Sequence, residues 1–140
     1  MERAHVLVVD DEPHVARIIQ IKLEQGPFRV TVAHDGLEAL EALDREQDLR
    51  MVWLDIMMPH VSGLEVLARM RANERTAGIP CVILTAAGHA EQRERAMTLG
   101  ATDFMTKPFS PKRLLSRTAE LAGVSVEGED EGDGPLRVES

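Results

Sequence analysis

The chain has 140 residues, 44% of them hydrophobic, a size that fits one domain with a substantial core. Its formal net charge of −8 argues against holding DNA or an anionic membrane by electrostatics alone. A single cysteine excludes an intrachain disulfide and any cysteine-rich zinc cluster.

Residues 5–10 read as a first strand. From Pro13 to about Gln25, Val15, Ile18, Ile19 and Leu23 recur at helical spacing, with Pro at the first position and Gly26 as the stop. Phe28 to Val32 alternates strictly, as a strand with one poorly covered face does. Asp35 caps a second predicted helix that shows Leu37, Leu40 and Leu43. The third strand is 50–55, followed by a loop with Pro59 and Gly63. A helix from about Gly63 to Asn73 is expected to bury Leu64, Leu67 and Met70. Pro80 precedes the fourth strand, where it needs no ladder hydrogen bond. A polar helix covers roughly 89–99 and stops at Gly100. The fifth strand, 102–107, is only partly apolar. Ser110 caps the last helix, with Pro111 first, Leu114, Leu115 and Leu121 inward, and Gly123 behind it.

Continuously apolar strands are covered on both faces, whereas alternating or weak ones sit at edges. The first, third and fourth runs therefore belong in the centre. Right-handed crossovers then give a doubly wound α/β sheet, all parallel, of order 2-1-3-4-5. Direction reverses between strands 1 and 3, so the crevice falls where Asp10, Asp11 and Asp55 end. From Val124 onward six acids stand against Arg137 alone. That segment, 124–140, is expected to be a disordered acidic tail behind a 1–123 domain. No apolar run reaches the ~18 residues of a membrane helix, and Asp10 comes too early for a signal peptide. A cytoplasmic location is the expectation.

Four apolar runs lead straight into polar residues. Val6 to Val9 ends in Asp10-Asp11, Met51 to Leu54 in Asp55, Cys81 to Leu84 in Thr85, and Phe104 to Thr106 in Lys107-Pro108. Each has a dull explanation alone: a helix cap, a strand end, a solvated edge lysine. Their conjunction at one sheet edge is what carries weight. Clustered carboxylates repel and raise one another's pKa; a hard cation such as Mg²⁺ relieves that. Asp11 and Asp55 read as direct ligands, with Asp10 direct or through water. Lys107 is placed to pair with Asp55 at rest and with a phosphoryl oxygen later, and Thr85 to donate to another. Catalysis in such a set is positioning plus electrostatics, with an aspartate as acceptor. No glycine-rich nucleotide loop is present, and the five histidines show no metal-ligand spacing. His60 and His89 flank the cleft and read as solvated loop residues. Cys81 reads as a buried inert thiol.

Val8-Val9-Asp10-Asp11-Glu12-Pro13, Leu54-Asp55-Ile56-Met57-Met58-Pro59 with Gly63, Leu84-Thr85-Ala86 and Lys107-Pro108-Phe109 together resemble the motifs of a response regulator receiver domain. The resemblance covers roughly 4–123. It implies a (βα)₅ flavodoxin-like fold and phosphoryl transfer from a histidine kinase or phosphotransfer protein to Asp55, assisted by Lys107 and Thr85. It adds the backbone carbonyl of Met57 to the Mg²⁺ ligands Asp10, Asp11 and Asp55. Ala86 would leave room beside Thr85, and Phe104 stands where the family has its aromatic switch residue. A stand-alone receiver follows as the leading reading, switching the face of its fourth helix, fifth strand and fifth helix toward a protein effector. Direct nucleic-acid or membrane binding is not expected. Asp103 and Arg117 match one charge pair of family dimers, but Arg113 would face Arg93, so a monomer or weak dimer is expected. The alternatives are a receiver cut from a larger regulator, a degenerate receiver, or a phosphatase turning over through an aspartyl-phosphate. The last is disfavoured because Met57 stands where dehalogenase-type enzymes usually place an acid/base aspartate. No turnover enzyme is expected beyond self-catalysed phosphoryl transfer and dephosphorylation.

Overall fold

The structure, a computed structural model that describes residues 3–125, alternates strands and helices throughout. The order is β1 (Ala4–Val9), α1 (Pro13–Glu24), β2 (Phe28–Ala33), α2 (Gly36–Arg45), β3 (Leu49–Asp55), α3 (Gly63–Ala72), β4 (Cys81–Ala86), α4 (Ala90–Thr98), β5 (Asp103–Lys107) and α5 (Pro111–Ala122). All strand pairs are parallel and the sheet order is β2-β1-β3-β4-β5, as the apolar pattern requires. The proposed tail beyond Ser125 lies outside the described residues. Among the described residues no helix is long and apolar enough to cross a membrane.

The two-residue repeat of the strands sends alternate side chains into two separate cores. Leu7, Val9, Val52, Leu54 and Ile83 meet α2 and α3 on one face. Val6, Val8, Met51, Trp53 and Leu84 meet α1 and α5 on the other. Each fully buried large hydrophobic side chain contributes about 1.5–3 kcal/mol, and the two layers are mainly aliphatic, with Trp53 and Phe28 the bulkiest members. Trp53 needs a polar partner at this depth. Its Nε1–H donates to Thr118 Oγ1 at 2.8 Å, and that hydroxyl donates to the Leu114 carbonyl at 2.7 Å. β3 is thereby tied to α5.

Local chemistry sets the helix ends. Asp35, Ser62 and Ser110 accept from the backbone N–H of Glu38, Glu65 and Arg113, each three residues on. Pro13 and Pro111 occupy first turns, where a missing N–H costs nothing. Gly123 closes α5 at φ +76°, and the Val124 N–H returns to the Ala119 carbonyl at 3.0 Å. Val124, assigned to the tail by composition, packs against the α1–α5 core.

Two helix faces differ from the periodicity. In α2 the buried stripe is Ala39, Ala42 and Leu43, and Leu37 is exposed. Small alanines let α2 lie close to the sheet, which rotates Leu37 outward. In α3 the buried residues are Val66, Leu67 and Met70, while Leu64 is only partly covered. α4 buries Ala96 alone.

Gly63 begins α3 directly against the end of β3. A Cβ there would stand 2.2 Å from the Asp55 carbonyl oxygen and 2.8 Å from Ile56 Cα, both rigid backbone atoms. Gly36 plays the same part for α2, where a Cβ would meet the Val61 carbonyl oxygen at 2.2 Å. Gly63→Ala is expected to cost ~1–3 kcal/mol, the usual range for overpacking. Urea unfolding of the pair of proteins reads this directly; equal midpoints would mean that the β3–α3 junction yields freely.

Candidate functional site

The parallel registers bring the ends of β1, β3, β4 and β5 to one edge. Asp10 follows β1, its N–H bonded to the Ala33 carbonyl at 3.1 Å, and its side chain is wholly buried. Asp10 Oδ1 accepts from the Glu12 N–H at 2.9 Å. Asp55 closes β3, opposite Leu84, and is 5% exposed. Its Oδ1 accepts from the Met57 N–H at 3.2 Å. Asp11 is half-buried, and carboxylate oxygens of Asp10, Asp11 and Asp55 lie within 4.8 Å of one another.

Lys107, opposite Ala86 at the end of β5, reaches this group from across the sheet edge. Its Nζ stands 2.9 Å from Asp10 Oδ2, 3.1 Å from Glu12 Oε1 and 3.6 Å from Asp55 Oδ2. The ammonium therefore sits nearest Asp10, whose carboxylate is the most deeply buried of the set, and Asp55 is its third contact. Glu12, read from sequence only as part of a motif, is a partner in this network. Burial alone would lower the Lys107 pKa, but Asp10, Asp55 and Glu12 outweigh it and hold the ammonium above its usual value.

Burial pushes the Asp55 carboxyl up to about 7, with the Asp10 charge adding to it and Lys107 pulling the other way. Three oxygen donors around such a group fit a hard divalent cation, whose charge would favour the ionised form. Thr85 lies one position short of the end of β4, almost fully buried, with its hydroxyl 3.3 Å from the Ala86 carbonyl. Ala86 is exposed beside it. Met57 is 49% exposed at the mouth, and His60 occupies the loop beyond at φ +66°. Phe104 is 38% exposed, and the Arg93 guanidinium lies 4.7 Å from its ring centroid.

Next to Lys107 runs a groove of about 460 Å³, lined by Glu12, Val15, Ile18, Lys107, Pro108 and Phe109 among others. Helical spacing assigned Ile18 to the apolar stripe of α1, yet it is 48% exposed on the groove side.

A model of the response regulator receiver domain matches residues 6–119. The chain belongs to that family. This receiver is 40% identical over 117 residues to an uncharacterized transcriptional regulatory protein, YkoG, of Bacillus subtilis, covering 84% of this chain and 50% of that protein. It is 41% identical over 133 residues to the transcriptional regulatory protein TrcR of Mycobacterium tuberculosis, covering 95% and 51%. The receiver thus spans about half the length of these relatives. Among solved structures it resembles a response regulator from Chloroflexus aurantiacus at TM-score 0.81 and 27% identity, covering 87% of this chain and 99% of that one. The receiver domain of a Pseudomonas aeruginosa sensor histidine kinase, with a magnesium ion coordinated in its active-site cleft, aligns at TM-score 0.79 and 26% identity, covering 86% and 98%.

The raised Asp55 carboxyl has a signed consequence for stability. Between its unfolded value of 3.8 and about 7, the folded metal-free receiver holds a proton that the unfolded chain has lost. Stability contributed by that group therefore falls as pH rises through this window. Asp55→Asn is expected to be more stable than the parent at pH 8 in chelator, by up to ~4 kcal/mol, and nearly level with it at pH 4. Urea melts at both pH values measure this. A difference independent of pH would show that the carboxyl carries no such penalty.

Proposed function

We propose that Asp55 is the phosphoryl acceptor of this receiver, charged by a histidine kinase or phosphotransfer protein. The observation behind it is the burial of Asp55 at the sheet edge, between the Asp10-Asp11 pair and the Lys107 ammonium. An ionised Asp55 oxygen attacks phosphorus, the O–P bond forms, and the donor imidazole leaves as its N–P bond breaks. Little covalent work falls to other residues; they position groups and offset charge. Lys107 turns from Asp10 and Asp55 toward a phosphoryl oxygen, and the Thr85 hydroxyl donates to another. Asp10, Asp11, Asp55 and the Met57 carbonyl would hold Mg²⁺, which when bound neutralises charge on the carboxylates and the phosphoryl oxygens. The mainly apolar groove beside Lys107 gives an incoming donor a surface next to the acceptor.

The output face is proposed to be α4, β5 and α5. α4 buries one side chain, whereas α5 buries Leu114, Leu115, Thr118, Ala119 and Ala122. Weakly anchored elements move most cheaply, and Thr85 and Phe104, the proposed switch pair, lie on the strands beneath. Phe104 lacks a hydroxyl, so any change of its rotamer acts through packing and through Arg93. A self-catalysed transfer, with no turnover of an outside substrate, is the reaction class this supports. The relatives' names favour a transcriptional role for the response, with any contact to DNA made by something other than this acidic domain.

A small-molecule phosphodonor with Mg²⁺ is expected to add one phosphoryl group, read by intact mass. Asp55→Asn should abolish the adduct while the fold persists, and Asp11→Ala should weaken Mg²⁺ binding and slow labelling. Lys107→Ala should still be labelled but lose the labelled protein's effect on partner binding. Labelling of Asp55→Asn at the parent rate, or equal labelling in excess chelator, would overturn the assignment.

Self-association through the same face is expected to be weak. Arg117 already pairs with Asp103 at 2.8 Å and with Glu120 at 2.8 Å within one chain. Light scattering of the phosphorylated receiver should show mostly monomer. A tight dimer that Asp103→Ala disrupts would refute this.

A further inference from the structure

The opposite edge of the sheet carries a second cluster. His5, near the start of β1, is 1% exposed, and its ring is held from both sides. Nδ1 lies 2.7 Å from Asp48 Oδ1 and 4.0 Å from Glu46 Oε1, and Nε2 lies 2.7 Å from Thr31 Oγ1. We propose that this end of the sheet binds a divalent transition-metal ion of the zinc class through His5 Nδ1, Asp48 Oδ1 and Glu46 Oε1.

Geometry is the first argument. The donor atoms of His5, Glu46 and Asp48 all lie within 4.8 Å of one another. With zinc bonds of about 2.0–2.2 Å, neighbouring tetrahedral donors stand roughly 3.3–3.6 Å apart. The observed separations from Nδ1, 2.7 and 4.0 Å, bracket that span. Each carboxylate needs to move by less than about 1 Å to meet it. Both lie on the solvent side of the cluster, with the Asp48 and Glu46 side chains 59% and 24% exposed and their outer oxygens on Arg29 and Arg45. The buried imidazole, which could not move, is already in place.

The outer contacts are the second argument. Arg29 engages Asp48 Oδ2, and Arg45 Nε engages Glu46 Oε2 at 2.9 Å. Each guanidinium takes the far oxygen of its carboxylate and leaves the near one turned toward Nδ1. Thr31 Oγ1 orients the ring through Nε2, the usual device that fixes the tautomer of a ligating histidine. With an ion on Nδ1, the Nε2–H donates to Thr31 and any proton formerly on Nδ1 leaves to solvent. Water completes the coordination on the open Asp48 side.

Donor chemistry selects the ion. An imidazole with two carboxylates suits zinc and its neighbours, whereas the Asp10, Asp11 and Asp55 cluster offers oxygen alone and suits Mg²⁺. The two ends of one sheet thus present sites of different hardness.

The test is calorimetric titration of Zn²⁺ into the whole chain in saturating Mg²⁺, which fills the acidic cleft. One equivalent is expected, unaffected by Asp11→Asn and weakened at least about tenfold by Asp48→Asn, by Glu46→Gln and by His5→Gln. Because His5→Gln removes a buried group and can unfold β1, the parent protein supplies a second readout. In its ¹⁵N spectrum Zn²⁺ should shift Nδ1 of His5 and leave Nε2 protonated. Absence of Zn²⁺ binding overturns the proposal. So does binding that survives both carboxylate substitutions undiminished, or that leaves the His5 ring unperturbed.

Discussion

One ammonium group makes the functional edge possible. Asp10 is wholly buried and Asp55 nearly so, with carboxylate oxygens within 4.8 Å of each other, and two such charges repel by roughly 3–4 kcal/mol at an effective dielectric near 20. Buried charge is tolerated only when paired. Lys107, drawn in from β5, supplies that pairing to both carboxylates and to Glu12. Its reach depends on the parallel register that sets Lys107 opposite Ala86, and on β4 lying between β3 and β5. The sheet order and the charge balance are therefore the same requirement seen at two scales.

The frame around that edge is built unevenly. On the β3 side, close glycine contacts and the Trp53–Thr118–Leu114 hydrogen bonds leave little room for displacement. On the β4–β5 side, α4 is held through Ala96, and Met97, Leu99 and Phe104 remain exposed around it. A firmly framed Asp55, the proposed acceptor, beside a loosely held helix is the division a switch needs, since the reacting atoms must stay fixed while something else moves.

The strands and their order were legible because continuous apolar runs mean double coverage, and helix limits were legible because Pro, Gly, Ser and Asp act locally. Leu37 was misplaced for a tertiary reason: Ala39 and Ala42 bring α2 close to the sheet, and propensity says nothing about that distance. The acidic residues and Lys107 could be assigned to one edge from strand ends alone. That Asp10 and Glu12, rather than Asp55, stand nearest the ammonium depends on side-chain depth, which a linear pattern does not encode. His5 was invisible for another reason. Its partners come from β2, the end of α2 and the turn into β3, so no spacing along the chain announces them. The exposure of Ile18 was hidden because one helical stripe served both core and groove.

Phosphorylation of Asp55, as proposed, replaces a carboxylate of charge −1 by an acyl phosphate carrying about −1.5 to −2, at an edge where the cation is already shared among three acids. The new group competes with Asp10 and Glu12 for Lys107, and the Thr85 hydroxyl, whose present contact is a long one to Ala86, has a stronger acceptor to turn to. Moving Thr85 alters the end of β4, from which the chain runs through Gly88 into α4. A conformational equilibrium shifts only by the difference in interaction energy between its two states. Because α4 would sacrifice little buried surface in moving, a few charge-assisted hydrogen bonds at Asp55 would be enough to bias it. Had α4 been anchored like α5, the same chemistry would change the charge of the cleft and leave the outer face as it was.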